Sequence, residues 1–259
     1  MSKRNSNVYI LWTGGWDSTY RMVELSRQPV VIHPLYVEDP GRNSKVYELK
    51  AMQEITEILK TKEETKAEIL PLKRILLSEI PENKEISKAY NFLKREVDMG
   101  SQHDWLARLA LSYPMIELCI EKALGEHTPI KNAIERWGKL DYIQGRYILD
   151  QSQSSHVLNL VLGNISLPIF DKTELDMVKN IKSWGYEDVM NHIWFCHTPI
   201  KGKPCGLCNP CTTKMTSQME FLLPKSSQKR NIRLRKIEKV FGKRGADIYK
   251  ILSRKIASI

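Results

Sequence analysis

The amino-acid sequence predicts an α/β fold: a mostly parallel sheet with helices on both faces, a small cysteine module and a basic helical tail. Three observations predict it. An apolar run, Val8 to Trp12, leads into a Gly14-Gly15 turn and then into residues with apolar spacing typical of a helix. Short apolar runs then alternate with helical-period segments, the order that builds parallel sheets. At 259 residues, 42 % hydrophobic and 27 % charged, the chain has the size and balance of one large domain with an attachment.

The first unit is a strand, a tight turn and a helix carrying Tyr20, Val23 and Leu25. "VVIHPLYV" (30–37) predicts a second buried strand, ending in Glu38-Asp39. Its Pro34 argues against a central place, because proline donates no ladder hydrogen bond. Asp39-Pro40-Gly41 is a turn, and a helix begins near Ser44 with Val46, Leu49, Met52, Ile55 and Leu59 at helical spacing. "EILPL" (68–72) predicts a short third strand limited by Pro71. From Glu82 to Leu124 the pattern is mostly helical, broken around Gly100 and Pro114, and Cys119 reads as a core residue within it. "LDYIQG" (140–145) predicts a further strand, "SHVLNLVLG" (155–163) fits strand or helix, and Leu175, Val178 and Ile181 mark another helix. The expected domains are an α/β body over 1–195 with a helical insertion around 82–135, a cysteine module over 196–215 and a tail over 216–259.

The formal net charge is +10, and all of it lies at the C-terminal end: twelve Lys and Arg against Glu238 and Asp247 from Lys225 onward. A helical tail is expected, with Ile237, Val240, Phe241, Ile248 and Leu252 docked on the body. Lys236, Lys239, Lys243, Arg244 and Lys255 would then face solvent, where they suit a nucleic acid or an acidic protein. No apolar run approaches the roughly 18 residues of a membrane span. "VYILW" is too short for a secretory core, so a cytoplasmic protein without a membrane partner is expected.

Four of five cysteines fall in "FCHTPIKGKPCGLCNPCTT", spaced Cys196-x8-Cys205-x2-Cys208-x2-Cys211. Four thiolates suit tetrahedral Zn2+, and a site filled by four protein ligands is structural. Reduced free cysteines and an iron–sulfur cluster are the alternatives, with His197 able to replace one cysteine. The turn in "LWTGGWDSTYRM" presents backbone N–H groups and a helix N-terminus to an anion. It lacks both the Lys-Ser/Thr end of a Walker loop and the third glycine of the dinucleotide fingerprint.

"TGGWDS" resembles the Ser-Gly-Gly-x-Asp-Ser signature of the PP-loop ATP pyrophosphatases, which belong among the adenine-nucleotide α-hydrolase-like folds, with Thr13 in place of serine. The cysteine spacing, "ELKAMQEI" (48–55) and "PIFDKTELDMVKNIKSWGYEDVMNHIWFC" (168–196) are similar to the 7-cyano-7-deazaguanine synthase branch. The resemblance covers about residues 7–60 and 165–215. It implies an enzyme that activates a substrate carboxylate with ATP, releases AMP and pyrophosphate, and forms an amide or nitrile with ammonia. In that branch the acceptor is 7-carboxy-7-deazaguanine and the pathway is queuosine biosynthesis; some relatives are associated with antiviral defence.

The implied ATP site comprises Leu11, Thr13, Gly14, Gly15, Trp16, Asp17, Ser18, Thr19 and Tyr36, joined by Gly100 and Gln102 from a second glycine-containing loop. Asp17 would hold Mg2+ or orient the loop, Ser18 would offer its hydroxyl, and Lys172 is the cation expected at the leaving group. Arg42 and Glu48 lie near further basic and acidic positions of the family, and His103 is a candidate proton carrier. A homodimer is among the expected assemblies. The stretch "GRYILDQSQSSH" (145–156) departs from the family's acceptor-contacting run, which leaves three other readings: a PP-loop tRNA-modifying enzyme, a defence-associated relative that transfers a deazaguanine, and a non-catalytic zinc-bearing nucleic-acid-binding protein.

Overall fold

A computed structural model describes residues 6–122 and 128–256. Eight strands form its sheet: β1 (Ser6–Leu11), β2 (Val30–Glu38), β3 (Glu68–Ile69), β4 (Lys73–Leu76), β5 (Ile116–Glu117), β6 (Leu140–Ile143), β7 (Arg146–Leu149) and β8 (Ile165–Leu167). The order is β3-β2-β1-β5-β8-β7-β6, with β4 continuing the β3 edge along β2. All pairings from β3 to β8 are parallel, and only the β6–β7 hairpin and its junction with β8 are antiparallel.

Ten α-helices connect and cover the sheet among the described residues: α1 (Trp16–Ser26), α2 (Lys45–Thr61), α3 (Lys84–Val97), α4 (Gln102–Ala110), α5 (Pro129–Trp137), α6 (His156–Leu162), α7 (Glu174–Trp184), α8 (Glu187–Met190), α9 (Asn209–Thr216) and α10 (Lys225–Ile256). Strand alternation separates two cores. Val8 and Ile10 meet α1, α2, α7 and α8 through Tyr20, Met22, Ile55 and Met177, while Tyr9 and Leu11 meet α3 to α6 through Leu93, Leu106 and Leu158. Each such aliphatic side chain, fully buried, contributes about 1.5–3 kcal/mol. A third cluster joins the cysteine module to Leu223, Leu234 and Ala246. No helix among the described residues is long and apolar enough to cross a membrane.

The structure corrects four expectations. β2 is an interior strand despite Pro34. Leu35 directs its carbonyl to Trp12 on the β1 side and Ile32 directs its own to Leu70 on the other. By alternation, the N–H that Pro34 lacks would point to the break between β3 and β4, where no ladder partner is needed. Of the expected 82–124 helical segment, residues 123 and 124 lie outside the described residues; the rest is helical only through Ala110, and Ile116–Glu117 is a strand between β1 and β8, too short to leave a periodic signal. Cys119 therefore follows a strand end instead of lying in a helix. "RYIL" is a strand hairpinned to β6 through Gln144 and Gly145, both at positive φ (50° and 81°).

The fourth correction concerns the tail. Gly242 (φ 64°, ψ −169°) breaks α10 and rotates its second half away from the first. Residues that share a face in an uninterrupted helix therefore do not share one here. Leu234 and Ala246 are buried, while Val240, Phe241, Ile248 and Leu252 are 71 %, 70 %, 59 % and 51 % exposed and Ile237 is half-buried. Lys236, Lys239, Lys243 and Arg244 are exposed as expected, and the side chain of Lys255 lies outside the described residues.

Candidate functional site

The loop 12–15 leaves β1 where the chain connects to β2 on one side and β5 on the other, the turning point at which open α/β sheets form ligand crevices. Gly14 is at φ +70°, and a Cβ there would lie 3.2–3.3 Å from Ala51, Met52 and the Glu48 carbonyl. Only glycine meets both demands. Its carbonyl accepts a hydrogen bond from the Trp194 N–H (2.8 Å), tying the loop to the segment before the cysteines. Gly15 precedes α1 without any side-chain cap, so the first N–H groups of that helix face the crevice. Arg21 fixes α1 to β5 through a buried bidentate pair with Glu117 (2.7 and 2.8 Å).

The crevice has two lobes, of about 340 and 250 Å3, which share Thr13, Gly15, Asp17, Arg42 and His197. The first lobe is mixed: Leu35, Val37, Trp105, Leu106 and Leu118, with Cys119 among them, form an apolar wall, and Asp17, Ser18, Arg42, Gln102 and His197 supply polar groups. The second is polar and includes Glu48, Glu121, Glu174 and Lys214. Arg42 stands between the lobes and pairs with Glu48 (2.9 Å); Glu48 also accepts from Tyr36 and Ser44 (2.7 Å each). At 2 % exposure, Glu48 is part of a buried network that aims the Arg42 guanidinium.

Asp17, Glu121 and Glu174 converge in the second lobe, each offering an oxygen within 4.8 Å of the others. Lys214 from α9 enters this cluster, ion-paired with Glu174 and lying 5.8 Å over the Trp16 ring. Asp17 Oδ1, Glu121 Oε2 and Glu174 Oε2 are buried without a hydrogen-bond partner. Burial raises the Asp17 carboxyl above its ordinary value, against the pull of Lys214. Burial and then the Asp17 charge push Glu121 up to about 7, Lys214 opposing. Burial also lowers Lys214, opposed by Asp17 and Glu121. Three carboxylates facing one ammonium leave negative charge uncompensated, and oxygen ligands of this kind suit a hard divalent cation such as Mg2+.

Of the residues expected at the nucleotide, Leu11, Thr13, Gly15, Asp17, Ser18 and Gln102 line the crevice, and Trp16 lines its second lobe. Gly14 supports the loop from behind. Thr19 is fully buried and accepts from Trp12 Nε1 (3.1 Å). Tyr36 faces the opposite core with its hydroxyl on Glu48; because neighbours in a strand alternate, Leu35 and Val37 face the crevice in its place. Gly100 is not among the lining residues, and it binds His103 through its carbonyl (2.9 Å). Burial lowers that imidazole, which does not line the crevice either. Lys172 pairs with its neighbour Asp171 (3.4 Å) and lines neither lobe.

Sequence reasoning missed Glu121, Glu174 and Lys214. The signal for Lys214 is its position one helical turn after Cys211; Glu174 opens a helix behind the capping residue Thr173. Glu121 carries no local signal.

Cys196, Cys205, Cys208 and Cys211 are buried, with sulfurs all within 4.8 Å of one another. An ion bound tetrahedrally at about 2.3 Å to each sulfur puts neighbouring sulfurs about 3.8 Å apart. Cys196–Cys208 and Cys205–Cys211 are at 3.8 and 3.9 Å, so the set fits a metal such as zinc. N–H groups of Leu207 and Cys208 point at Cys205 Sγ (3.2 Å each) and that of Cys205 at Cys196 Sγ (3.1 Å), which favours thiolates. Gly206 (φ +75°) lets the Ser227 carbonyl approach to 2.2 Å of where a Cβ would sit, so α10 seats on the knuckle. Arg230 and Asn231 close that seam on the carbonyls of Cys205 and Gly206. His197 lies outside the sulfur cluster and lines both crevice lobes. In comparisons with known proteins, no family model and no curated sequence matches the chain.

Proposed function

We propose that the chain is a PP-loop enzyme that activates a carboxylate by converting ATP to AMP and pyrophosphate and forms an amide as ammonia displaces AMP; a second ATP activation would dehydrate that amide where a nitrile is the product. One observation carries the reading: a glycine loop without a lysine opens at the sheet's turning point into a crevice with one lobe that has an apolar wall and one lined by carboxylates. The apolar wall of the first lobe suits the face of an adenine, and the helix N-terminus with Ser18 suits phosphates. Asp17 and Glu121 would hold Mg2+, which when bound screens phosphate charge. Arg42, held by Glu48, is placed to meet an anion on either side of Gly15. A 7-deazapurine-like carboxylate is the proposed acceptor. The four cysteines are proposed to hold a structural zinc.

Transfer of charge to a leaving pyrophosphate calls for fixed donors more than for a base, and the loop's N–H groups supply them. A Walker loop supports attack at the γ-phosphorus through its lysine, whereas Thr19 and Tyr20 stand after Ser18 here. The decisive experiment is nucleotide chromatography after incubation with ATP, Mg2+, ammonia and 7-carboxy-7-deazaguanine, with product mass read in parallel. AMP and pyrophosphate should accumulate with negligible ADP. Asp17→Asn should reduce turnover strongly while the zinc content holds. ADP as the main product would overturn the reading.

A second reading, an RNA-modifying enzyme that uses the same activation, has two observations in its favour. The Cys119 thiol lines the first lobe, and α10 carries the chain's excess positive charge. Burial pushes that thiol well above its ordinary value, which disfavours a thiolate there. Modified RNA, not a deazapurine nitrile, would be the product.

A further inference from the structure

Lys214 is an unusual residue to find in a cleft wall. The residue is 5 % exposed; its ammonium sits among three carboxylates that belong to α1, the segment after β5, and α7, and comes from α9, the helix that Cys208 caps. A structural ion pair needs one carboxylate, and Glu174 provides it. The other two leave negative charge facing the same lobe as Gly15 and the start of α1. A strongly anionic ligand in that lobe needs a cation, and the loop itself supplies none. Arg42, oriented by Glu48, can meet the anion from across the lobe, whereas Lys172 is paired elsewhere with Asp171.

We propose that Lys214 is the cation that contacts the triphosphate of a bound nucleotide, so that the cysteine module forms a working wall of the loop site as well as a structural element. This rests on the nucleotide reading above. Glu174 holds the ammonium in the lobe until the anion arrives, and Asp17 and Glu121 remain for a divalent cation. Three carboxylates against one ammonium leave an excess of two negative charges, which a divalent cation offsets before the polyanion binds.

The arrangement makes opposite demands on two ligands, and this separates it from a merely structural role. Removing the ammonium leaves the carboxylates more negative, which favours a small cation and disfavours a polyanion. Lys214→Met in the zinc-loaded full chain should weaken ATP binding by about tenfold or more in calorimetry, a change of about 1.4 kcal/mol. The same variant should bind Mn2+ alone at least about threefold more tightly by electron paramagnetic resonance. Lys214→Arg should keep both affinities near wild type. The double variant Lys214→Met/Glu174→Gln removes one charge of each sign and guards against misfolding of the single one. It should return Mn2+ binding towards wild type while ATP binding stays weak. Equal ATP affinity in wild type and Lys214→Met, or recovery of ATP binding in the double variant, overturns this inference alone. Absence of ATP binding by the wild-type chain overturns the nucleotide reading, and this inference with it.

Discussion

Replacing Glu121 by Gln tests the carboxylate cluster without touching the loop. The groups that face Glu121 are Asp17 from α1, Glu174 from α7 and Lys214 from α9. Its carboxyl moves from 4.5 to about 7, first through burial and then through Asp17. At about 1.36 kcal/mol per pH unit, that displacement corresponds to at most ~3 kcal/mol of folding free energy. The sign follows from the folded value being the higher one. Below about pH 4.5 both states hold the proton and the contribution is fully present. As pH rises towards 7 the unfolded chain has released its proton, and the folded chain must retain it or bear a repelled charge, so stability is lost. Glutamine carries no charge at any pH. Urea unfolding in magnesium-free buffer should therefore find the two proteins nearly equal near pH 5, with Glu121→Gln the more stable by up to ~3 kcal/mol near pH 8. Adding Mg2+ near pH 8 should stabilise the wild type and narrow the gap. A gap independent of pH, or a less stable variant near pH 8, would refute the reasoning.

Metal analysis of protein purified under reducing conditions should find about one zinc per chain, and Cys208→Ser should lower the melting temperature sharply, because metal binding energy is folding energy at such a site; absence of zinc overturns the assignment. Glu117→Ala should destabilise the fold by up to about 3–5 kcal/mol in denaturant unfolding, since it leaves the buried Arg21 guanidinium with Glu24 as its remaining carboxylate partner. The tail should bind single-stranded RNA with an affinity that falls steeply with salt, about 0.7 in log–log slope for each phosphate contacted. Reversing Lys239, Lys243 and Arg244 to Glu should weaken that binding by about tenfold or more while the melting temperature holds, because all three are exposed.

The sequence by itself determined the elements whose signal is local. The β1–loop–α1 unit, the Ser44 helix and the 175–181 helix are set by apolar periodicity, which registers whenever an element is long enough to repeat it. The four cysteines are legible for a different reason: a metal-sized cluster can be assembled from one short stretch of chain when the spacing permits the turns. Leu11, Thr13, Gly15, Trp16, Asp17 and Ser18 line the crevice by the same rule, because they belong to the loop and its two flanking elements, whereas Gln102 reaches it from α4. Only the tertiary structure decided what depends on distant segments meeting. β5 is two residues long and exists because β1 and β8 pair with it on either side. Tyr36 and Leu35 exchange places at the crevice because strand alternation, not residue type, selects the face. Asp17, Glu121, Glu174 and Lys214 lie nearly 200 positions apart at their extremes, and no periodicity links them. Folding brings them within contact because the parallel strands end at one edge and the cysteine module, stitched to Gly14 through Trp194, is held against that edge.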